Sequence, residues 1–207
     1  MYTDLLLKPE EDEEAIRIFK IARRMGYRII GLTSDKNLCR ENRIVEEASR
    51  LGLKILRVVE IETGNEASAR KLVRKTYDGN KILIGIPKSP SALRFFSRDT
   101  RVKVVEIPPK LTKLLDRNQA KLMLQGESLI GIRLSRIADK IKLIPWMDKI
   151  LSFSVRYGVD TVLYSGAREW NMLWHPKTII SLISMLGYPK DFAKTVITPY
   201  IAGVSIG

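Results

Sequence analysis

Short apolar runs alternate with amphipathic stretches along the whole chain. Tyr2 to Leu7, Tyr27 to Leu32, Leu53 to Ile61, Lys81 to Ile86, Val102 to Ile107, Ser128 to Leu134 and Thr161 to Tyr164 have the length and aliphatic content of buried strands. Glu11 to Met25 reads as a helix, with Ala15, Ile16, Phe19 and Ala22 at helical spacing and Gly26 as its stop. Further helices are expected over Lys36 to Leu51 (capped by Ser34 or Asp35), Asn65 to Tyr77, and Ser91 to Arg98 after Ser89-Pro90. Leu111 to Leu124, Ile137 to Tyr157, Pro176 to Met185 behind His175, and Lys190 to Val196 complete the set. The apolar stretch from Thr198 to Gly207 fits an eighth strand or a docking segment.

Strands separated by single helices call for parallel pairing through right-handed crossovers. This order predicts an α/β fold: a (β/α) TIM-like barrel of seven or a distorted eight strands, one domain over residues 1–207. An open doubly wound sheet is the competing arrangement. No glycine-rich phosphate loop follows any strand to favour its nucleotide-binding forms. No apolar run approaches the ~18 residues of a membrane span, and the acidic stretch after Leu7 is wrong for a secretion signal. The single cysteine, Cys39, permits no internal disulfide and fits a reducing cytosol. A cytoplasmic protein with no membrane partner is expected.

Charge changes the picture. The chain carries a net charge of +13, and residues 70–142 hold 18 of its 36 Lys and Arg but 6 of its 23 Asp and Glu. A basic excess gathered in one third of a sequence concentrates polyanions. Around Val102 to Ile107, Arg94, Arg98, Arg101 and Lys103 lie on one side and Lys110, Lys113, Arg117 and Lys121 on the other. In a continuous helix the second group, spaced 3, 4 and 4, would share one face and repel itself unless an anion sat opposite. The expected strand ends add Lys88, Arg133, Arg136 and Arg168, with hydroxyls and backbone N–H groups suited to phosphate. Phe95, Phe96, Tyr164, Trp170 and Trp174 lie near these cations, where a base could stack, although core packing is the better reading for Phe96 and Trp174. Arg168 beside Trp170 is the leading mixed site.

Catalytic sets are scarce. The one histidine, His175, precedes a helix-starting proline and reads as structural, and a nucleophile needs a base in reach. Asp35, Glu60 and Glu62 could hold a divalent ion in a free-standing phosphoesterase, although no nitrogen ligand joins them. A module whose basic face meets an acidic protein partner is the other alternative to polyanion binding.

Several motifs, in order, carry a resemblance. Leu93-Arg94 with Arg101-Val102, Asn118-Gln119-Ala120-Lys121-Leu122-Met123, and Ile130-Gly131-Ile132-Arg133-Leu134 form its middle. Ser165-Gly166-Ala167, Trp170, Pro176 at a helix start, Leu186-Gly187 and Ala193 form its end. The sequence resembles the archaeal ribonuclease P thirty-kilodalton protein family, known as protein component 3. That family is similar to the barrels of the polymerase and histidinol phosphatase group, which hold metals with several histidines. A single His175 means such a metal site does not carry over.

The resemblance implies a non-catalytic subunit of the ribonucleoprotein that removes the 5′ leader from precursor tRNA. The ribonuclease P RNA would do the chemistry with its own magnesium, and this chain would bind no cofactor. It also implies a smaller partner subunit of ferredoxin-like fold, in a heterodimer that can pair into a four-chain assembly. By motif, Arg94, Lys121 and Arg133 match basic positions of the family. Gly166, where the family often has a hydroxyl, and the loop from Pro108 to Asp116 depart from its pattern.

Overall fold

The computed structural model describes residues 2–33 and 41–198. Among them, β1 (Tyr2–Leu7), β2 (Tyr27–Thr33), β3 (Lys54–Thr63), β4 (Lys81–Pro87), β5 (Val102–Glu106), β6 (Leu129–Arg133) and β7 (Thr161–Tyr164) form one sheet in sequence order. The β1/β2, β2/β3, β4/β5 and β5/β6 pairs run parallel. The helices are α1 (Asp12–Met25), α2 (Glu41–Arg50), α3 (Glu66–Thr76), α4 (Pro90–Arg98), α5 (Arg117–Gln125), α6 (Ser135–Asp139), α7 (Ile144–Tyr157), α8 (Pro176–Met185) and α9 (Lys190–Thr195). This is the TIM-like α/β class that the alternation predicts. Six of the strands are buried nearly throughout, as parallel strands covered on both faces are, whereas β3 leaves Lys54, Arg57 and Glu62 exposed.

Two of the expected helices are broken. The stretch expected to be helical over Leu111 to Leu124 is a 3-10 helix, Pro109–Leu114, followed by α5. The break lies at Asp116, whose side chain accepts from Gln119 N at 2.8 Å and so starts a new helix. Lys110 and Lys113 therefore leave the face expected to carry all four cations. The long helix over Ile137 to Tyr157 is likewise divided into α6, a 3-10 turn at Ile141–Leu143, and α7. Pro145 stands in the first turn of α7, where its missing N–H costs nothing; inside a continuous helix it would cost about 3 kcal/mol. Ser34, Asp35, the start of the second helix, Cys39 and the stretch after Thr198 lie outside the described residues.

The described residues group into two compact units. One comprises residues 2–58, 133–139 and 163–198, the other residues 59–132 and 140–162. In the first, Leu7, Phe19, Ile30, Ile44 and Leu173 belong to a buried cluster. Leu7 and Ala167 form a parallel bridge, and Gly166 N donates to Leu6 O at 3.0 Å. At the other end of the same strands, Val196 O accepts from Leu163 N on β7 at 2.8 Å and Ile197 O accepts from Thr3 N on β1 at 2.9 Å. The turn after α9 thus caps backbone donors on both strands.

This unit also buries a carboxylate. Asp4, 1% exposed, accepts from Ser165 N at 3.1 Å and Leu6 N at 3.2 Å. Burial pushes its carboxyl up to about 6, against the lowering effect of the bonds from Ser165 and Leu6. Because the folded value lies above the unfolded one, this contribution to stability is complete below about pH 4 and is lost as pH rises through 6. Asp4→Asn keeps an oxygen acceptor and cannot ionise. It should match the parent near pH 4 and exceed it at pH 7 by up to about 3 kcal/mol in urea unfolding. Equal stabilities at both pH values would show that the buried charge carries no penalty. Burial and the nearby Asp4 also raise the pKa of Tyr27, which stays protonated and donates to Trp174 O at 2.7 Å.

In the second unit, Phe95 and Phe96 of α4 and Val102, Val104 and Val105 of β5 are all buried, and Trp146 Nε1 donates to Ile107 O at 3.1 Å. Phe95, Phe96 and, in the first unit, Tyr164 are at most 3% exposed, so none of the three offers a ring face to a base.

A cation-lined groove as candidate nucleic-acid interface

Helix α4 begins as its sequence directs. Ser89 Oγ accepts from Ala92 N at 3.2 Å, and Pro90 fills the first turn. Ala92, Leu93, Phe95, Phe96 and Ser97 turn inward, which leaves Pro90, Arg94 and Arg98, four residues apart, on the outer side. Helix α5 buries Gln119, Ala120 and Met123 and presents Asn118, Lys121 and Gln125 outward.

The two helices are fastened at Ser97. Gln119 Nε2 donates to Ser97 Oγ at 2.6 Å, and Ser128 Oγ donates to Ser97 O at 3.2 Å. Where α5 ends at Gly126, the backbones come so close that a Cβ would stand 2.2 Å from Ser97 O. Held in this way, α4 and α5 flank a groove of about 540 Å³. Arg94 and Arg98 line it from α4 and Lys121 from α5. Leu114 and Leu122 give it apolar surface above the buried Leu93, and Asp116, Asn118 and Gln125 add polar groups.

The predicted cations differ in how far they are committed elsewhere. Arg98 Nη2 meets Glu66 Oε1 at 2.6 Å, and Glu66 also pairs with Arg70 at 2.9 Å. Arg101 grips Asp99 with two bonds of 2.8 and 2.6 Å. Burial raises the Asp99 carboxyl, but the Arg101 fork outweighs it and holds the group below the usual carboxylate range. Lys88 pairs with Glu62 at 3.2 Å, and Lys103, 20% exposed, reaches Glu127 at 3.9 Å. By contrast, Arg94, Lys110, Lys113, Arg117 and Lys121 are exposed and form no ion pair with a described carboxylate. Arg94 and Lys121 are both uncommitted and brought together in the groove. Lys110 and Lys113 sit on the 3-10 helix.

Arg133, Arg136 and Arg168 belong to the other unit. The Arg133 side chain lies 2.8 Å from where a Cβ on Gly166 would stand, and Gly166 has φ +68°. A side chain at Gly166 would thus meet both a strained backbone and Arg133. Arg136 is half-buried on α6. Arg168 reaches Glu10 at 3.7 Å. It is Arg17 of α1, not Arg168, that stacks on Trp170, at 4.6 Å from the ring centre, and Glu14 accepts from Trp170 N at 2.6 Å. Chain order could not pair residues so far apart. His175 caps α8 by accepting from Lys177 N at Nδ1, 3.1 Å, which agrees with its structural reading. Among the described residues, no three His, Cys, Asp or Glu gather where they could hold a metal ion. No described helix is long and apolar enough to cross a membrane.

The fold is that of a TIM-like α/β protein, and its groove gathers Arg94, Arg98 and Lys121. The model of the family described as RNase P subunit p30 matches residues 1–204. The chain belongs to that family. It is 23% identical over 197 residues to ribonuclease P protein component 3 of Aeropyrum pernix, covering 92% of this chain and 90% of that one. Among solved structures, a chain of an archaeal ribonuclease P with mature tRNA, seen by cryo-electron microscopy, shares the fold at a TM-score of 0.77 and 17% identity, over 95% of this chain and 87% of that one. A glycerophosphoryl diester phosphodiesterase from Parabacteroides distasonis reaches a TM-score of only 0.38 at 19% identity, over 84% of this chain and 55% of that one, and carries no argument.

Proposed function

We propose that this ribonuclease P subunit grips the phosphates of the catalytic RNA through the α4/α5 groove and the exposed cations beside it, while the RNA, with its own magnesium, cleaves the leader from precursor tRNA. The observation that carries this reading is Arg94 and Lys121, exposed in one groove and held by no described carboxylate. Cations left without protein partners on a rigid frame have no internal use, and phosphate supplies what they lack. Arg98, already turned by Glu66, adds a third positive group. Neutralising RNA charge stabilises compact RNA folds, so the subunit activates without touching the scissile bond.

A smaller protein subunit of ferredoxin-like fold completes the reading as the direct partner, in a heterodimer or heterotetramer working in the cytoplasm. The solved archaeal assembly holds mature tRNA, which supports an RNA setting for a chain of this fold. The test is reconstitution. Leader removal by the RNA with the remaining subunits should slow when this chain is withheld and recover when it is added back. Equal rates with and without it would end the proposal.

A further inference from the structure

Phosphate binding alone does not account for the groove, because its lining is not only cationic. Leu114 and Leu122, both half-buried, give it an apolar floor, and Asn118 and Gln125 bring amides that both donate and accept. Asp116 lines it too. Its Oδ1 is occupied by Gln119 N, which leaves Oδ2 as a second acceptor on a residue lining a site otherwise suited to anions. A carboxylate repels phosphate but accepts well from the exocyclic amines of bases.

We propose that the groove takes one unpaired nucleotide of a folded RNA, with its phosphate against Arg94, Arg98 and Lys121 and its base over the leucine floor. Asn118, Gln125 and Asp116 then meet the base edge. This rests on the reading of the groove as an RNA site and narrows its ligand from RNA to a single-stranded element. A duplex keeps its bases stacked inside and offers proteins its backbone and 2′-hydroxyls, so it leaves the floor and the amides unused. A splayed nucleotide covers both. The fastening at Ser97 and the close approach at Gly126 fix the two walls, so the spacing between cations and floor is set before RNA arrives.

The experiment measures binding of the full chain to a labelled single-stranded RNA of mixed sequence and to the same RNA annealed to its complement. Parent, Arg94→Ala/Lys121→Ala and Asn118→Ala/Gln125→Ala chains are compared across a salt series. The single strand should bind the parent at least about five-fold tighter, the effect of one base edge read by the groove's amides. Asn118→Ala/Gln125→Ala should erase most of that preference while keeping the salt slope. Equal or tighter duplex binding by the parent, or an amide variant that weakens both probes alike, overturns the single-nucleotide proposal but leaves the RNA site standing. Arg94→Ala/Lys121→Ala binding both probes like the parent removes the RNA site and the proposal with it. Circular dichroism melts of each variant confirm folding, which is expected to hold because the four side chains are exposed.

Discussion

Replacing Arg94 and Lys121 together by alanine should make RNA binding shallower in salt by about 2 units of slope, one for each phosphate no longer neutralised. If the whole face neutralises about 6 phosphates, the parent loses roughly three decades of affinity between 50 and 200 mM salt. The double variant should lose visibly less over that range and bind roughly ten- to a hundred-fold more weakly at 0.1 M. Arg101→Ala is the informative control. Its guanidinium is already chelated by Asp99 and half-buried, so its removal should barely move the slope. An unchanged slope in the double variant would place the phosphate-binding groups elsewhere on the chain.

The second large effect is structural. Gly126→Val should destabilise the protein by about 3 kcal/mol or more, seen as a lower denaturant midpoint. The obstacle is backbone, with Ser97 O 2.2 Å and Arg98 Cα 3.0 Å from the added Cβ, so no side chain can swing away. Relief requires the end of α5 to move off α4, which would break the Gln119–Ser97 bond and widen the groove. Any variant still folded at low temperature should therefore also lose RNA affinity with its cations intact. A variant of parental stability would mean that the two helices are not pinned at this point.

Most elements are legible in the sequence because their signals are local. β1 and β7 fall where their apolar runs end, and Ser89-Pro90 and His175-Pro176 mark the starts of α4 and α8. The broken helices show the limit. Asp116 is one polar residue among cations in an otherwise helical pattern, and its capping role emerges only once Gln119 is turned inward. Arg94, Arg98 and Lys121 are readable as candidates from charge alone. That Arg101 is held by Asp99 is readable in principle from their spacing, but charge counting passes over it. Asn118 and Gln125 carry no charge and give no signal until packing puts them beside Lys121. Arg17 and Trp170 are joined only by the folded first unit.

The turn after α9 has a consequence for biosynthesis. β1 leaves the ribosome long before Ile197, whose carbonyl receives the Thr3 amide. Until then the outer side of that strand lacks this bond, and an incomplete strand edge invites pairing with other chains. A nascent chain stalled before residue 196 should therefore be sticky and chaperone-dependent in a way that a chain extended past Ile197 is not.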